Sequence, residues 1–175
     1  MKGEQQGSYR KLYIVLDTAA FLAKYPLQQY STYELLTTPH VLSEVRDRES
    51  REALEMALSI GRVRVVEPSK EYMDKAMGIA RSIGEHSSLS TADLSVLALA
   101  LQYLVHGSVV VITDDYALQN TLLYTGIPFK PLRTTGIHGF RRYIVLCPVC
   151  GYVSSVIGEK NCPLCGSRLV KRKLS

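Results

Sequence analysis

No apolar stretch in these 175 residues approaches the roughly 20 needed to cross a bilayer. The opening residues Met1 to Gly7 are polar and lack the apolar middle of a secretory signal, so the expected location is the cytoplasm and no membrane partner is expected. No Gly-rich phosphate loop of the form GxxxxGK(S/T) occurs, and the four histidines (His40, His86, His106, His138) are scattered. Cysteine is confined to positions 147 to 165, which in a cytoplasmic chain argues for a metal site and against a disulfide framework. Acids are almost missing from the last 46 residues. Residues 130 to 175 carry 9 Lys+Arg and only Glu159, net +8, whereas residues 1 to 129 carry 12 Lys+Arg against 15 Asp+Glu, net −3. An acidic body thus precedes a basic tail, a distribution suited to a polyanion in the tail and equally compatible with a solvated, solubilising face.

What is present starts from Leu12 to Leu16, a strand-forming run that ends directly on Asp17 before the chain turns helical over Thr18 to Lys24. Such a run reads as a strand buried on both faces, with Asp17 at its carboxyl end, where ligands bind in open α/β sheets. Asp17 can equally serve as the cap of the following helix. Tyr25 to Tyr30 reads as a loop and Glu34 to Thr37 as a second strand, and Pro39 opens a helix carrying Val41, Leu42 and Val45 on one face, with Glu44 beside that stripe. An amphipathic helix follows from about Arg48 to Ile60, with Ala53, Leu54, Ala57, Leu58 and Ile60 facing inward and Gly61 ending it. Val63 to Glu67 is a strand. Pro68 and Ser69 then open a helix that stops at Gly84, and Glu85 to Ser90 is a polar loop. Ser90-Thr91-Ala92-Asp93 is a capping-box pattern ahead of the apolar helix Leu94 to Val105. Val109 to Thr113, the most β-branched run, again ends on carboxylates, Asp114 and Asp115. A helix over Tyr116 to Tyr124 is closed by Gly126, and Pro128 to Lys130 is a short last strand. Strand and helix alternate throughout, so the fold class is α/β, a parallel sheet sandwiched by helices.

Right-handed crossovers place Asp17, Asp93 and the Asp114-Asp115 pair at one edge of that sheet. Capping explains each acid separately. Several acids converging with no Lys or Arg beside them in sequence repel one another unless a hard divalent cation such as Mg²⁺ or Mn²⁺ intervenes. A carboxylate-held ion of that kind lowers the pKa of a bound water and offsets phosphodiester charge, so no side-chain nucleophile is needed.

The ordered set LDTAAFL, PHVLSEVRD, LSTADLSVLALA and VVVITDDYALQN resembles the PIN domain, a family of metal-dependent ribonucleases built on a small parallel sheet, over about residues 10 to 130. The resemblance implies that Asp17, Glu44, Asp93 and Asp115 hold one or two Mn²⁺ or Mg²⁺ ions. Asp114 is an alternative to Asp115 as the ligand. It implies a water attacking the phosphodiester of single-stranded RNA to leave 3′-hydroxyl and 5′-phosphate ends.

Behind this body lie Cys147-Pro-Val-Cys150-Gly and Cys162-Pro-Leu-Cys165-Gly, two copies of one pattern whose spacing suits a tetrahedral Cys₄ zinc ion. Four thiolates leave no open position, so that zinc is structural and supplies the folding energy that so small a module lacks. Zinc binding lowers the formal charge of the tail to +6. Arg141 and Arg142 before the first knuckle and Arg168, Lys171, Arg172 and Lys173 after the last are candidate phosphate contacts. The expected organisation is a PIN-like domain over 10–130, a basic linker over 131–143 with a hinge at Gly136 to Gly139, and a zinc ribbon over 144–170. This pairing resembles the compact, archaeal Nob-type branch, endonucleases that mature the 3′ end of small-subunit ribosomal RNA. It implies precursor rRNA and the pre-ribosomal particle as partners. A toxin-like PIN ribonuclease and a non-catalytic RNA-binding assembly factor are the alternatives.

Overall fold

The computed structural model describes residues 11–28, 33–156 and 158–174. Five parallel strands, β1 (Leu12–Leu16), β2 (Glu34–Thr37), β3 (Val63–Val65), β4 (Ser108–Ile112) and β5 (Phe129–Lys130), lie in the order β3-β2-β1-β4-β5. The central strand is β1. It pairs from Leu12↔Ser108 to Leu16↔Ile112 on one side and from Tyr13↔Glu34 to Val15↔Leu36 on the other. Val15 and Leu16 are fully buried, as a strand covered on both faces requires.

The helices are α1 (Thr18–Leu22), α2 (Tyr25–Gln28), α3 (Pro39–Glu44), α4 (Arg48–Ser59), α5 (Lys70–Ser82), α6 (Thr91–Tyr103) and α7 (Tyr116–Thr125). Side chains of Thr38, Asp47, Ser90 and Asp115 start α3, α4, α6 and α7 by accepting amide hydrogens from Val41, Ser50, Asp93 and Leu118. Apolar all round, α6 can only be internal, and it packs against β1, β4, α3 and α5. Val96, Leu97, Ala98, Leu99 and Ala100 are wholly excluded from solvent, each large side chain contributing about 1.5–3 kcal/mol.

Three local expectations are corrected. Tyr25 to Gln28 is a helix rather than a loop: Pro26 fits its first turn, Tyr25 and Pro26 are buried, and the Gln28 amide donates to the Ala23 carbonyl at 3.0 Å. Gln29 and Tyr30 lie outside the described residues. Ile60 is not inward-facing but 65% exposed, because it caps α4 where the chain leaves the helix at Gly61. The strand expected over Val63 to Glu67 is only β3, paired with β2 over three residues at the sheet edge.

A second, antiparallel sheet of β6 (Tyr143–Leu146), β7 (Val153–Ser154) and β8 (Val170–Lys173), in the order β7-β6-β8, carries its own small core of Val145, Cys147, Cys162 and Leu169. It is seated on the C-terminal end of α5. The Tyr143 amide donates to the Ile83 carbonyl at 2.8 Å, and Arg142 donates twice to the Ser82 carbonyl at 3.1 and 3.2 Å. Gly84, at φ +75°, leaves no room for a side chain, since a Cβ there would sit 2.0 Å from the Tyr143 carbonyl oxygen. Glu85 and His86, read as part of a polar loop, are therefore buried beneath this second sheet. Nor is Gly136 to Gly139 free to hinge, because the Ile137 amide donates to the buried Gln119 side chain at 3.1 Å.

Candidate active site and zinc centre

Adjacent parallel strands β1 and β4 end together, which brings Asp17 and the residues after Ile112 to one edge. Asp17 is 5% exposed, and its two oxygens accept from the Thr18 amide at 2.6 Å and the Thr113 hydroxyl at 2.7 Å. The same Thr113 hydroxyl accepts from the Asp115 amide at 3.1 Å, so one buried side chain sets the positions of both acids. Asp115 in turn caps α7 through the Leu118 amide at 2.7 Å. Glu44 ends α3, exposed, with Oε2 3.4 Å from the donating Thr18 hydroxyl. Asp93 accepts from the Ser90 amide at 2.7 Å through Oδ2 in the capping box that the sequence shows. A buried contact of 2.6 Å between the Thr38 and Ser95 hydroxyls ties the start of α3 to α6, and with it Glu44 to Asp93.

Capping therefore does not exhaust these acids. Burial raises the pKa of Asp17, and the charges of Asp115 and Glu44 add to the rise. Burial likewise carries Asp93 up to about 7, with the charges of Asp17 and Asp115 contributing against the Ser90 hydrogen bond. Among the described residues no Lys, Arg or His pairs with Asp17, Glu44, Asp93 or Asp115, although seven other ion pairs occur. A hard-oxygen set with unrelieved negative charge fits a divalent ion such as Mg²⁺ or Mn²⁺. The four acids share an edge without forming a closed cage: among the described residues only the cysteines bring three or more ligand atoms within 4.8 Å of one another. Asp114 faces away from this group. It accepts from the amides of Leu132, Arg133 and Thr134 at 2.8, 3.0 and 3.2 Å; against the effect of burial, these bonds hold its pKa below the usual value. Its role is to clamp the turn after β5.

The raised pKa of Asp93 has a consequence for stability. The unfolded chain carries this carboxyl at its ordinary 3.8, so between about pH 4 and 7 the folded state holds the extra proton and stability falls as pH rises through that window. Above about 7 the penalty is complete, at most about 4 kcal/mol at 1.36 kcal/mol per tenfold change in proton affinity. Asn at position 93 keeps an oxygen for the Ser90 amide. Metal-free Asp93→Asn protein is therefore expected to melt higher than the parent at pH 8, with the difference vanishing toward pH 4 in thermal melts at both pH values. A difference that is constant with pH would mean that Asp93 is not protonated near neutrality.

The cysteine centre is built by two glycine turns. Gly151 and Gly166, at φ +77° and +74°, donate to the Cys147 and Cys162 carbonyls at 3.0 and 2.9 Å and fold each pair of thiols toward one point. The Cys147–Cys165 and Cys150–Cys162 sulfur separations are both 3.4 Å. A Zn–S bond of about 2.3 Å gives a tetrahedron with edges of about 3.8 Å, between these 3.4 Å separations and the 4.8 Å within which all four sulfurs lie, so a small adjustment accommodates the ion. The Ser167 hydroxyl and amide lower the pKa of Cys165 and favour its thiolate, whereas at Cys150, against the Tyr152 amide, the neighbouring sulfurs push the thiol up.

Of the basic residues, Arg141, Arg168, Arg172 and Lys173 are exposed and Arg142 is partly committed to Ser82. Lys171 is spent: it pairs with the buried Glu85, donates to the Ser88 hydroxyl at 2.9 Å and lies 4.1 Å from the centroid of the Tyr143 ring. Sequence reasoning missed Thr113, Gln119, Asn120 and Glu85. Only Thr113 carried a signal, as the last residue of a β-branched run before two acids.

Residues 14–103 match the family described as the PIN domain of ribonuclease. The chain is 39% identical to endoribonuclease Nob1 of Pyrococcus abyssi, over 93% of its own length and 96% of the relative's. It is 43% identical to ribonuclease VapC3 of Aeropyrum pernix, over 78% of this chain and 99% of that one. It is also 31% identical to the 20S-pre-rRNA D-site endonuclease NOB1 of Saccharomyces cerevisiae, over 57% of this chain and 22% of the much longer yeast protein.

Proposed function

Since the chain belongs to the PIN-domain ribonucleases, in the group of the archaeal Nob1 endoribonucleases, we propose that it is a metal-dependent, single-strand endoribonuclease that matures the 3′ end of small-subunit ribosomal RNA. The observation that carries the reading is the set of four acids, Asp17, Glu44, Asp93 and Asp115, at one sheet edge with no cationic partner among the described residues. These acids are the ligands in this proposal, and Mg²⁺ or Mn²⁺, one or two ions, is the metal. When bound, the metal supplies a water of lowered pKa and a counter-charge for the phosphodiester. The protein's own part is positional. Thr113 holds the Asp17 and Asp115 carboxylates in register, and the Thr38–Ser95 contact keeps α3, and with it Glu44, against α6.

The cysteines hold one structural zinc ion. In this reading residues 10–130 carry the chemistry, 131–143 join it to the ribbon of 144–170, whose sheet takes in Tyr143 and runs on through β8 to Lys173, and the protein acts in the cytoplasm on precursor rRNA within the pre-ribosomal particle. The yeast relative's name specifies a pre-rRNA site, which favours rRNA over the broad targets of toxin-like relatives. The test is cleavage mapping on precursor small-subunit RNA with Mg²⁺ or Mn²⁺ and with chelator. A single metal-dependent cut at the mature 3′ end is expected; degradation at many sites, or none, would overturn the reading.

Exposed Arg168, Arg172 and Lys173 anchor the RNA backbone in this scheme. Replacing each with Gln is expected to flatten the slope of log affinity against log salt by about 0.7 per lost phosphate contact. Lys171→Gln is expected instead to lower the melting temperature, since its partner Glu85 is buried. Filter binding across a salt series reads the slopes and thermal melts read Lys171→Gln; unchanged slopes for all three exposed residues would move the anchor elsewhere.

A further inference from the structure

A cavity of about 490 Å³ opens at the seam between the parallel sheet's helices and the zinc ribbon, lined by Tyr116, Asn120, Arg141 and Tyr143 above Glu85 and Lys171. Its volume lies in the range of small-ligand pockets, roughly 300–1,000 Å³. Tyr116 is the residue after Asp115 and the first of α7, so the cavity begins next to the acid edge. Its side chain is 51% exposed, and among the described residues its ring has no aromatic or cationic partner.

The other groups of the cavity are fixed in place. Asn120, 3% exposed, grips Arg141 at both backbone atoms: its Oδ1 accepts from the Arg141 amide at 2.7 Å and its Nδ2 donates to the Arg141 carbonyl at 2.6 Å. The same Nδ2 donates to Glu85 at 2.8 Å, and the other oxygen of Glu85 pairs with Lys171. The one acid of the cavity is thereby neutralised. Arg141 is left as the unbalanced charge, exposed and without an ion pair among the described residues, on a backbone that cannot swing away. A free aromatic face beside a pre-positioned guanidinium is the combination that holds one nucleotide of a single strand, base on ring and phosphate on cation.

We propose that this cavity is a nucleotide subsite for single-stranded RNA next to the cleaved bond: Tyr116 stacks on a base, Arg141 holds the adjoining phosphate, and Asn120 acts as the positioning residue for Arg141. The inference rests on the endoribonuclease reading for the identity of its ligand. A second cavity, lined by His138, Phe140, Arg141 and Lys173, continues from the first across Arg141 and extends the track toward β8.

The test uses the full chain with its zinc, in the Asp93→Asn background so that RNA binds without being cut, and single-stranded RNAs carrying 2-aminopurine at successive positions. One position is expected to be quenched on binding. Tyr116→Ala should abolish that quench and weaken affinity by roughly 5- to 100-fold. Tyr116→Phe should retain both, and Arg141→Gln should flatten the salt slope by about 0.7. Asn120→Ala should weaken binding only when Arg141 is present, the signature of a residue acting through another. Undiminished quench and affinity in folded Tyr116→Ala protein overturn the subsite. Turnover plays no part in these readouts, so failure of the parent protein to cleave RNA counts against the proposed function and leaves the subsite result intact.

Discussion

Asp17→Asn and Asp93→Asn proteins are each expected to lose metal-dependent RNA cleavage by on the order of 10³-fold or more while binding the same RNA within a few-fold of the parent. The two losses have different geometric origins. Asp17 is nearly buried, with its oxygens already accepting from Thr18 and Thr113, so an amide there turns a donor toward groups that themselves donate. Asp93 uses one oxygen for the Ser90 amide and leaves the other available, so Asn preserves the cap and removes only charge. Asp93→Asn is the cleaner variant: its helix start is intact, and any lost activity reports on the carboxylate. Asp114→Asn supplies the contrast. Asp114 is occupied by the amides of 132–134 and is expected to affect stability more than the rate. Single-turnover cleavage alongside filter binding decides the matter, and parental rates in both Asp17→Asn and Asp93→Asn would remove these acids from the active site.

Cys147→Ser and Cys162→Ser are expected to release about one zinc per chain and to unfold the ribbon, because Cys147 and Cys162 make up half of its four-residue buried core. The parallel-sheet body should keep its own transition, but at a lower temperature. Glu85 is 1% exposed because the ribbon lies over it and Lys171 of β8 pairs with it, so melting the ribbon removes the cation and returns the carboxylate to water. What the body loses is therefore the seam's hydrogen bonds, each typically worth about 0.5–1.5 kcal/mol, and no stranded buried charge is left behind. Glu85→Gln should lower the melting temperature of the zinc-loaded protein, where Lys171 loses its partner, and change the body's transition little in the Cys147→Ser background, where the carboxylate is already hydrated. Zinc content by chelator assay and two-transition calorimetry test both halves. A double variant that stays fully zinc-loaded would sink the four-cysteine centre, and a body transition at the parental temperature in Cys147→Ser protein would mean the seam contributes nothing to it.

Sequence alone determined whatever depends on local periodicity and on short-range covalent spacing. The apolar run of β1 ending on Asp17, the β-branched β4, the all-round apolar α6 with its Ser90–Asp93 capping box, and the two knuckles are each written within a dozen residues, and each is found in the fold. Asp17, Asp93 and the Asp114-Asp115 pair were legible as a group for the same reason, since a parallel sheet carries the ends of β1 and β4 to one edge whatever the loops do, whereas Glu44 entered only through the family resemblance. Tertiary structure decided how those parts engage. Asp114 and Asp115 are neighbours in sequence, and only the turn at 132–134, which offers three amides to Asp114, sets their surroundings apart. Lys171 read as one of several exposed cations, yet it lies opposite a glutamate 86 positions earlier in the chain. Gly136 to Gly139 has the composition of a hinge but donates an amide to buried Gln119. In all three cases the deciding partner is distant in sequence. A buried charge or amide must be satisfied by whatever packing brings beside it, and no local pattern encodes that neighbour.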